Sequence, residues 1–324
     1  MTTVTVVVPA YNEGSAFAGS LVLLAEYFAL HQKGGYEFNY LIVDDGSSDE
    51  TNAAAQAFAR WRKDVRVLQH ERNRGLGAAL RTAFQHVDTE IAVVLDADLS
   101  YAPATAMELI ESLEQQRADI ALASPYTYGG AVLNVPPVRR ILSREANRLL
   151  SLATSGRYAT LTCMVRAYRV EALKGLEFRH DGMEAIAEIL LGALRQKLRV
   201  IEVPATLRWS DERRMAGGSF RVSSLASRVT ATLLMACHHR PALWLAVPGL
   251  IPGLLPLVVG ILLILRVNSA ALAIGTTTTI VVQYTSLALF SGQIATFFGR
   301  RLSHRHRPNG VNTTNGYDLP SRTA

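Results

Sequence analysis

Residues 91–100 read IAVVLDADLS. A short apolar, β-branched run bounded by turn residues is the signature of a buried strand. Ile91–Leu95 is therefore expected as a strand that delivers Asp96 and Asp98 at its carboxyl end. In open α/β sheets that end is where ligands collect. On an extended chain, side chains two apart leave on the same side. Two neighbouring carboxylates repel unless a cation lies between them. A hard divalent ion, Mg²⁺ or Mn²⁺, takes such oxygens and keeps a diphosphate as a further ligand. A turn or helix cap is the competing reading of a lone Asp-x-Asp.

Working outward, the same alternation recurs. Strands are expected at Val4–Val8, Tyr40–Val43, Val65–Gln69 and Ile120–Ala123, and helices at Ala16–His31, Thr51–Arg62, Gly75–Phe84 and Pro103–Gln116. This is the pattern of an α/β sheet. Two more strand ends carry chemistry. Pro9-Ala-Tyr11-Asn-Glu13 offers an aromatic ring suited to packing on a base. Asp44-Asp45-Gly46-Ser47 offers a carboxylate for a nucleobase or ribose, or else a plain turn followed by a cap.

The chain has 324 residues, 49% hydrophobic and 19% charged, with a net charge of +6. These values exclude disorder and collagen. Two cysteines, Cys163 and Cys237, make no disulfide framework and no zinc spacing. No secretory leader is expected at the start. Residues 1–207 hold 21 Lys+Arg against 24 Asp+Glu, whereas 208–240 hold 6 against 2 and 299–324 hold 5 against 1. The positive charge thus flanks two charge-free stretches, 242–265 and 269–298, each long enough to cross a bilayer. Charge so placed reads as attraction to a membrane surface rather than to nucleic acid. Two buried core helices are the alternative. Arginines on both flanks place both ends, and the N-terminal region, on the cytoplasmic face. Residues 219–240 mix arginine with apolar residues and read as an interfacial helix. The second apolar stretch, with its Thr and Gln, suits packing against a partner helix in a homo-oligomer. Residues 309–324 read as disordered.

VVVPAYNEG, IVDDGSSDET, NRGLGAALRTAF and VVLDADLS, in this order and spacing, resemble family 2 glycosyltransferases with the GT-A fold. Within them the chain is most similar to dolichyl- or polyprenyl-phosphate sugar synthases. VRRILSREAN (138–147), TCMVRAYR (162–169) and RMAGGS (214–219) carry that likeness. The resemblance covers about residues 3–225, and the C-terminal hairpin is similar to that of bacterial members. It implies a GT-A domain over 1–207, a juxtamembrane loop and interfacial helix over 208–240, two transmembrane helices within 241–298, and a basic cytoplasmic tail over 299–324. The expected location is a bacterial cell membrane.

Carried over by position, the resemblance assigns Pro9, Tyr11, Glu13, Val43 and Asp45 to the nucleotide-sugar. Asp96 and Asp98 would hold the metal and diphosphate, with Ala97 and Ser100 beside them. Arg139 and Ser143, one helical turn apart, would grip the lipid phosphate, and Arg214 would neutralise the leaving diphosphate. The implied reaction is inverting transfer of a hexose from a nucleotide-diphosphate sugar to a polyprenyl phosphate. A phosphate acceptor is already ionised near neutral pH and needs no strong base. A hydroxyl acceptor, as in glycolipid or polysaccharide synthesis, does need one. Asp181, Glu184 and Glu188 are the candidates, with helix-surface carboxylates the plainer reading. Three positions depart from the family pattern: Pro125 stands where Arg is common, Thr160 where Asp is usual, and Phe220 where Lys is usual.

Overall fold

A computed structural model describes residues 1–209, apart from 152, 153, 155 and 156. Its central sheet has seven strands: β1 (Thr2–Ala10), β2 (Tyr36–Asp44), β3 (Val65–Gln69), β4 (Ile91–Val94), β5 (Ile120–Ser124), β7 (Arg166–Arg169) and β8 (Val200–Pro204), in the spatial order β3-β2-β1-β4-β7-β5-β8. A separate ribbon pairs β6 (Ala131–Leu133) with β9 (Thr206–Arg208) in parallel. Strands β1 to β4 run parallel to one another, as do β5 and β8. Strand β7 is antiparallel to both β4 and β5. The sheet is therefore mixed.

The helices are α1 (Ala16–His31), α2 (Thr51–Arg60), α3 (Leu76–His86), α4 (Pro103–Gln115), α5 (Pro137–Ser151), α6 (Val170–Lys174) and α7 (Glu184–Arg195). Strands covered on both faces must be apolar throughout, and Val4, Val6, Val7 and Val8 are fully buried, as are Val93 and Val94. Phe17, Leu21, Leu24 and Phe28 of α1 and Leu109, Ile110 and Leu113 of α4 close over the sheet. Pro103 opens α4, where its missing N–H costs nothing.

Expected elements and observed ones agree to within a few residues over the first 124 positions. Both β1 and β2 are longer than expected because polar Thr2, Thr3, Glu37 and Asn39 join the pairing at one end. Asp96 and Asp98 do not lie on an extended strand, so side-chain alternation does not set their directions. Strand β4 stops at Val94, and Asp96–Leu99 is a turn, closed by the Leu99 N–H donating to the Asp96 carbonyl (3.1 Å) with Leu99 at φ 53°. Among the described residues no helix is long and apolar enough to cross a membrane. The expected interfacial helix, both apolar stretches, the tail, Arg214 and Phe220 lie outside the described residues.

Candidate active site

Parallel register brings three strand ends to one edge of the sheet. Ala10 pairs with Asp44 at the ends of β1 and β2, and Val7 pairs with Val94 at the end of β4. Ladder-like bonds continue past the strands: Asp45 N–H donates to the Ala10 carbonyl (2.9 Å) and Leu95 N–H to the Val7 carbonyl (3.0 Å). Tyr11, Glu13, Asp45, Asp96 and Asp98 all follow these ends.

The loop after β1 is sewn to the loop after β2. Asn12 N–H donates to Ser47 Oγ (3.0 Å), Glu13 N–H to Thr51 Oγ1 (2.8 Å) and Gly14 N–H to Asp49 Oδ2 (2.9 Å). Ser48 N–H donates back to Asn12 Oδ1 (2.9 Å). Burial opposes ionisation of Asp49, yet hydrogen bonds from Thr51 and Gly14 outweigh it and hold the carboxyl below its usual range. Tyr11 remains 45% exposed, so its ring is presented to solvent. Glu13 is half-buried, whereas Pro9 and Val43 are buried.

The two carboxylates of the Asp-Asp-Gly turn do different work. Asp44, fully buried, accepts from Ser47 N–H (3.0 Å) and Asn52 Nδ2 (2.9 Å), and so shapes its own turn. Asp45, 4% exposed, reaches across to the 70–75 loop. Its Oδ1 accepts from Arg74 N–H (3.0 Å) and lies 2.6 Å from His70 Nδ1, and its Oδ2 accepts from Gly75 N–H (2.7 Å). His70 Nε2 in turn meets Thr82 Oγ1 at 2.9 Å. Gly46 is forced by this packing: at φ 72°, a Cβ there would lie 2.3 Å from the Arg72 carbonyl carbon.

At the end of β4, Ser100 donates to Asp98 Oδ1 from both its N–H (3.1 Å) and its hydroxyl (2.6 Å). Asp96 and Asp98 are half-buried, and Ala97 and Ser100 are buried beside them. Among the described residues no group of three or more His, Cys, Asp or Glu is arranged to hold an ion. Two carboxylates suit Mg²⁺ or Mn²⁺, which complete their shell with substrate phosphate and water. Behind this turn lie Tyr101 and Cys163. Burial raises both; Cys163 and then the negative Asp96 push Tyr101 further up, while the Tyr101 hydrogen bond only partly offsets the burial of the Cys163 thiol, which is pushed up to about 11.

On the other flank of the sheet, α5 presents Arg139 exposed and Ser143 half-buried. The Arg139 guanidinium stacks on the Trp209 ring, 4.5 Å from its centroid. Asn147 holds α5 to the following loop: its Oδ1 accepts from Leu161 N–H (2.9 Å), and its Nδ2 donates to Thr162 Oγ1 (3.1 Å). Thr160, at one of the departures, is buried and shares a 2.7 Å hydroxyl contact with Ser124. The pair is neutral, so no unpaired charge is left where the family's usual Asp is absent.

Two of the three candidate bases, Glu188 and Asp181, are engaged in loop contacts; the third, Glu184, opens α7 and is half-buried. Glu188 Oε2 accepts from Arg179 N–H (2.9 Å) and His180 N–H (3.0 Å), and lies 2.9 Å from His180 Nδ1. Asp181 pairs with Arg81 at 2.8 Å, while its backbone carbonyl accepts from Gly77 N–H (2.6 Å) at the start of α3. Asp181 fastens the 178–183 loop to α3, and Glu188 fastens it to α7.

Sequence reasoning missed Arg166 as a structural centre. It is fully buried on β7, paired across the sheet with Val94 and Leu122. Its guanidinium donates to the carbonyls of Leu161 (2.8 Å) and Ile186 (2.8 Å), and among the described residues its Nε has no hydrogen-bond partner. An arginine set among apolar neighbours in Met164-Val-Arg166-Ala-Tyr168 is the available signal.

Comparison with known proteins now bears on this arrangement. The Glycosyl transferase family 2 model matches residues 5–176. The chain is 30% identical over 207 residues to dolichol-phosphate mannosyltransferase of Pyrococcus furiosus, a match covering 63% of this chain and 56% of that one. It is 30% identical over 225 residues to polyprenol monophosphomannose synthase of Mycolicibacterium smegmatis, covering 67% and 82%. The undecaprenyl-phosphate 4-deoxy-4-formamido-L-arabinose transferase of Edwardsiella ictaluri is 29% identical over 62% of this chain and 58% of its own. The match thus spans little more than half of two of these relatives. Among solved structures, glucosyl-3-phosphoglycerate synthase of M. tuberculosis superposes with a TM-score of 0.55 at 22% identity, over 73% of this chain and 81% of that one. A complex of that synthase with Mn²⁺, uridine diphosphate and glucosyl-3-phosphoglycerate gives 0.54 at 19%, over 73% and 80%. At such identities these likenesses establish the fold, an α/β GT-A-like glycosyltransferase fold.

Proposed function

The chain belongs to glycosyl transferase family 2 and is a glycosyltransferase; from this premise we propose that it moves a hexose from a nucleotide-diphosphate sugar to a polyprenyl phosphate, with inversion, at a membrane surface. The observation that carries the reading is the meeting of Asp96, Asp98, Tyr11 and Glu13 at one sheet edge. The names of the three relatives supply the acceptor class. A nucleotide complex of the solved neighbour supports the donor class.

In this reading Tyr11 and Glu13 take the nucleoside, together with the buried backbone of Pro9 and Val43. Asp45 acts at one remove, holding the 70–75 loop in place beside it. Asp96 and Asp98 would hold the divalent ion, with Ala97 and Ser100 forming the turn; an ion bound there would offset negative charge on the diphosphate. Arg139 and Ser143 fix the acceptor phosphate, which is itself the nucleophile, since a phosphate monoester with a second pKa of ~6 is mostly ionised at neutral pH. That removes the need for a general base, in keeping with the engagement of Glu188 and Asp181 in loop contacts. Arg214 is assigned to the leaving diphosphate. Residues 208–240 and the hairpin within 241–298 would hold the domain at the cytoplasmic face.

The test is incubation of membranes carrying the full chain with radiolabelled nucleotide sugars, Mg²⁺ or Mn²⁺ and a polyprenyl phosphate. Label should enter the lipid phase and be released by mild acid, as a sugar phosphodiester is. Label found only on a hydroxyl acceptor, with polyprenyl phosphate ignored, would overturn the proposal.

A further inference from the structure

The turn of α5 that carries Arg139 has no side chain in the core. From Pro137 to Ala146 none is buried, and the first that is, Asn147, lies about two turns beyond Arg139. An arginine so placed has many rotamers to lose when it grips a ligand. Support from outside the helix is needed to preorganise it. Trp209 gives that support. The Arg139 guanidinium carbon lies over its ring, 4.5 Å from the centroid. The backbone that carries the ring is fixed in turn. Trp209 N–H donates to the Leu133 carbonyl (3.2 Å) and Arg208 N–H to the Ser100 carbonyl (2.8 Å). Leu207 bridges antiparallel to Tyr101 and packs on the core. Ser100 is also the residue that donates to Asp98. The ring is therefore tied to the turn that carries Asp96 and Asp98.

We infer that Trp209 is a positioning residue for the acceptor: it acts through Arg139, holding the guanidinium in one orientation at a set distance from the Asp96–Asp98 turn. The chemistry of the pair suits a phosphate. The N–H donors of a guanidinium lie in its plane, so a ring against its face steadies their directions without consuming them. An aromatic face attracts the cation through its quadrupole and leaves the positive charge uncancelled, as a carboxylate partner would not. A preorganised arginine gives up less freedom on binding, and affinity gains by that difference. The inference rests on the acceptor role proposed above for Arg139. It divides the labour of β9: pairing with β6 shapes the fold, and the ring just past its end serves the acceptor.

The test reads acceptor binding directly, with turnover beside it. The full chain in detergent is titrated calorimetrically with a short-chain polyprenyl phosphate, and with the matching polyprenol as the control that lacks the phosphate. Trp209→Leu should weaken polyprenyl-phosphate binding about fivefold, the scale of one cation–π contact, and leave polyprenol binding unchanged. Trp209→Tyr keeps an aromatic face and should restore most of the affinity. On an Arg139→Ala background, Trp209→Leu should have no further effect, because a residue that acts through another loses its influence with it. In the transfer assay Trp209→Leu should raise the acceptor KM by a similar factor, with kcat and the donor KM nearly unchanged. The inference is overturned if Trp209→Tyr behaves like Trp209→Leu, or if the effects of Trp209→Leu and Arg139→Ala simply add. It is also overturned if the donor KM rises as much as the acceptor KM, which would make Trp209 a general support of the fold. Weakened binding in Arg139→Ala with none in Trp209→Leu would sink this inference and spare the acceptor reading. Undiminished binding of polyprenyl phosphate by Arg139→Ala, or no binding by the parent, would remove the acceptor reading and this inference with it.

Discussion

On one side of β4 lie β1, β2 and β3, all parallel, and the loops that follow them are bonded to one another through Asn12, Asp45, Ser47, Asp49 and Thr51. On the other side lie β7, β5 and β8, with one strand reversed, a buried arginine at the centre, and a helix exposed along its first two turns. The first region is a rigid seat. The second is a platform with an uncovered face. Under the proposed function, an enzyme that takes one substrate from solution and another from a surface would have reason to be built so: preorganisation lowers the cost of binding the donor, while the side assigned to the acceptor would have to stay open to something too large to enclose.

The sharpest way to break this division is Asp98→Asn. Asparagine keeps an oxygen for the Ser100 donors but removes the charge, so folding should be spared. Transfer should fall by about 10²–10³-fold, the usual scale for losing one charge-stabilising group, with the thermal midpoint almost unmoved. Full activity in that variant would remove the Asp96–Asp98 pair from the chemistry. Arg166→Met tests the other side. It relieves a buried charge but orphans the carbonyls of Leu161 and Ile186. Each unsatisfied carbonyl costs about 1–3 kcal/mol, and a net loss of roughly 2 kcal/mol should appear as a lower urea midpoint. An unchanged midpoint would mean that the guanidinium organises nothing.

The same division explains what could be read from the sequence. Donor-side strands are short apolar runs with Asp or Gly at their ends, and pattern alone places them. Asp44 acts through a neighbour in sequence, Ser47, whereas Asn12, Glu13 and Gly14 reach Ser47, Thr51 and Asp49 on the next loop. The side built from β7 and α5 depends on partners far apart in the chain. Strand β7 carries Arg166 in place of a clean apolar run, and α5 has its aliphatics facing out, so periodicity gives no correct inside for either. Asp45 shows the limit on the donor side. Position and type suggest a ligand carboxylate, but its contacts with Arg74 and Gly75, 29 and 30 residues away, are invisible without the fold.

Asp45→Asn sharpens that point. An amide nitrogen cannot accept from His70, Arg74 and Gly75, so at least one buried donor loses its partner, at about 1–3 kcal/mol. The expected pattern is a lower thermal midpoint with a raised KM for the donor and a smaller change in kcat. A drop in kcat comparable to that of Asp98→Asn, at unchanged stability, would put Asp45 in contact with the substrate instead.

The smallest effect compares one carboxylate from each region. Burial opposes ionisation of Glu188, but hydrogen bonds from His180 and Arg179 outweigh it and hold its pKa below the usual 4.5; Asp49, on the donor side, is held below 3.8 in the same way. A carboxyl lowered in the folded state binds fewer protons there than in the unfolded chain. Its contribution is therefore complete above the unfolded value and is lost as pH falls through the folded one. Glu188→Gln should cost about 1 kcal/mol at pH 7, the scale of one hydrogen bond, and the gap between variant and parent should close as pH drops below 4.5. Asp49→Asn should close its gap from 3.8 downward. Urea midpoints measured from neutral pH to about pH 3 check both. If Glu188 pins only the 178–183 loop while Asp49 pins the donor seat, Asp49→Asn alone should also raise the donor KM. Equal KM changes in the two variants would erase the distinction between a seat and a platform at this level of detail.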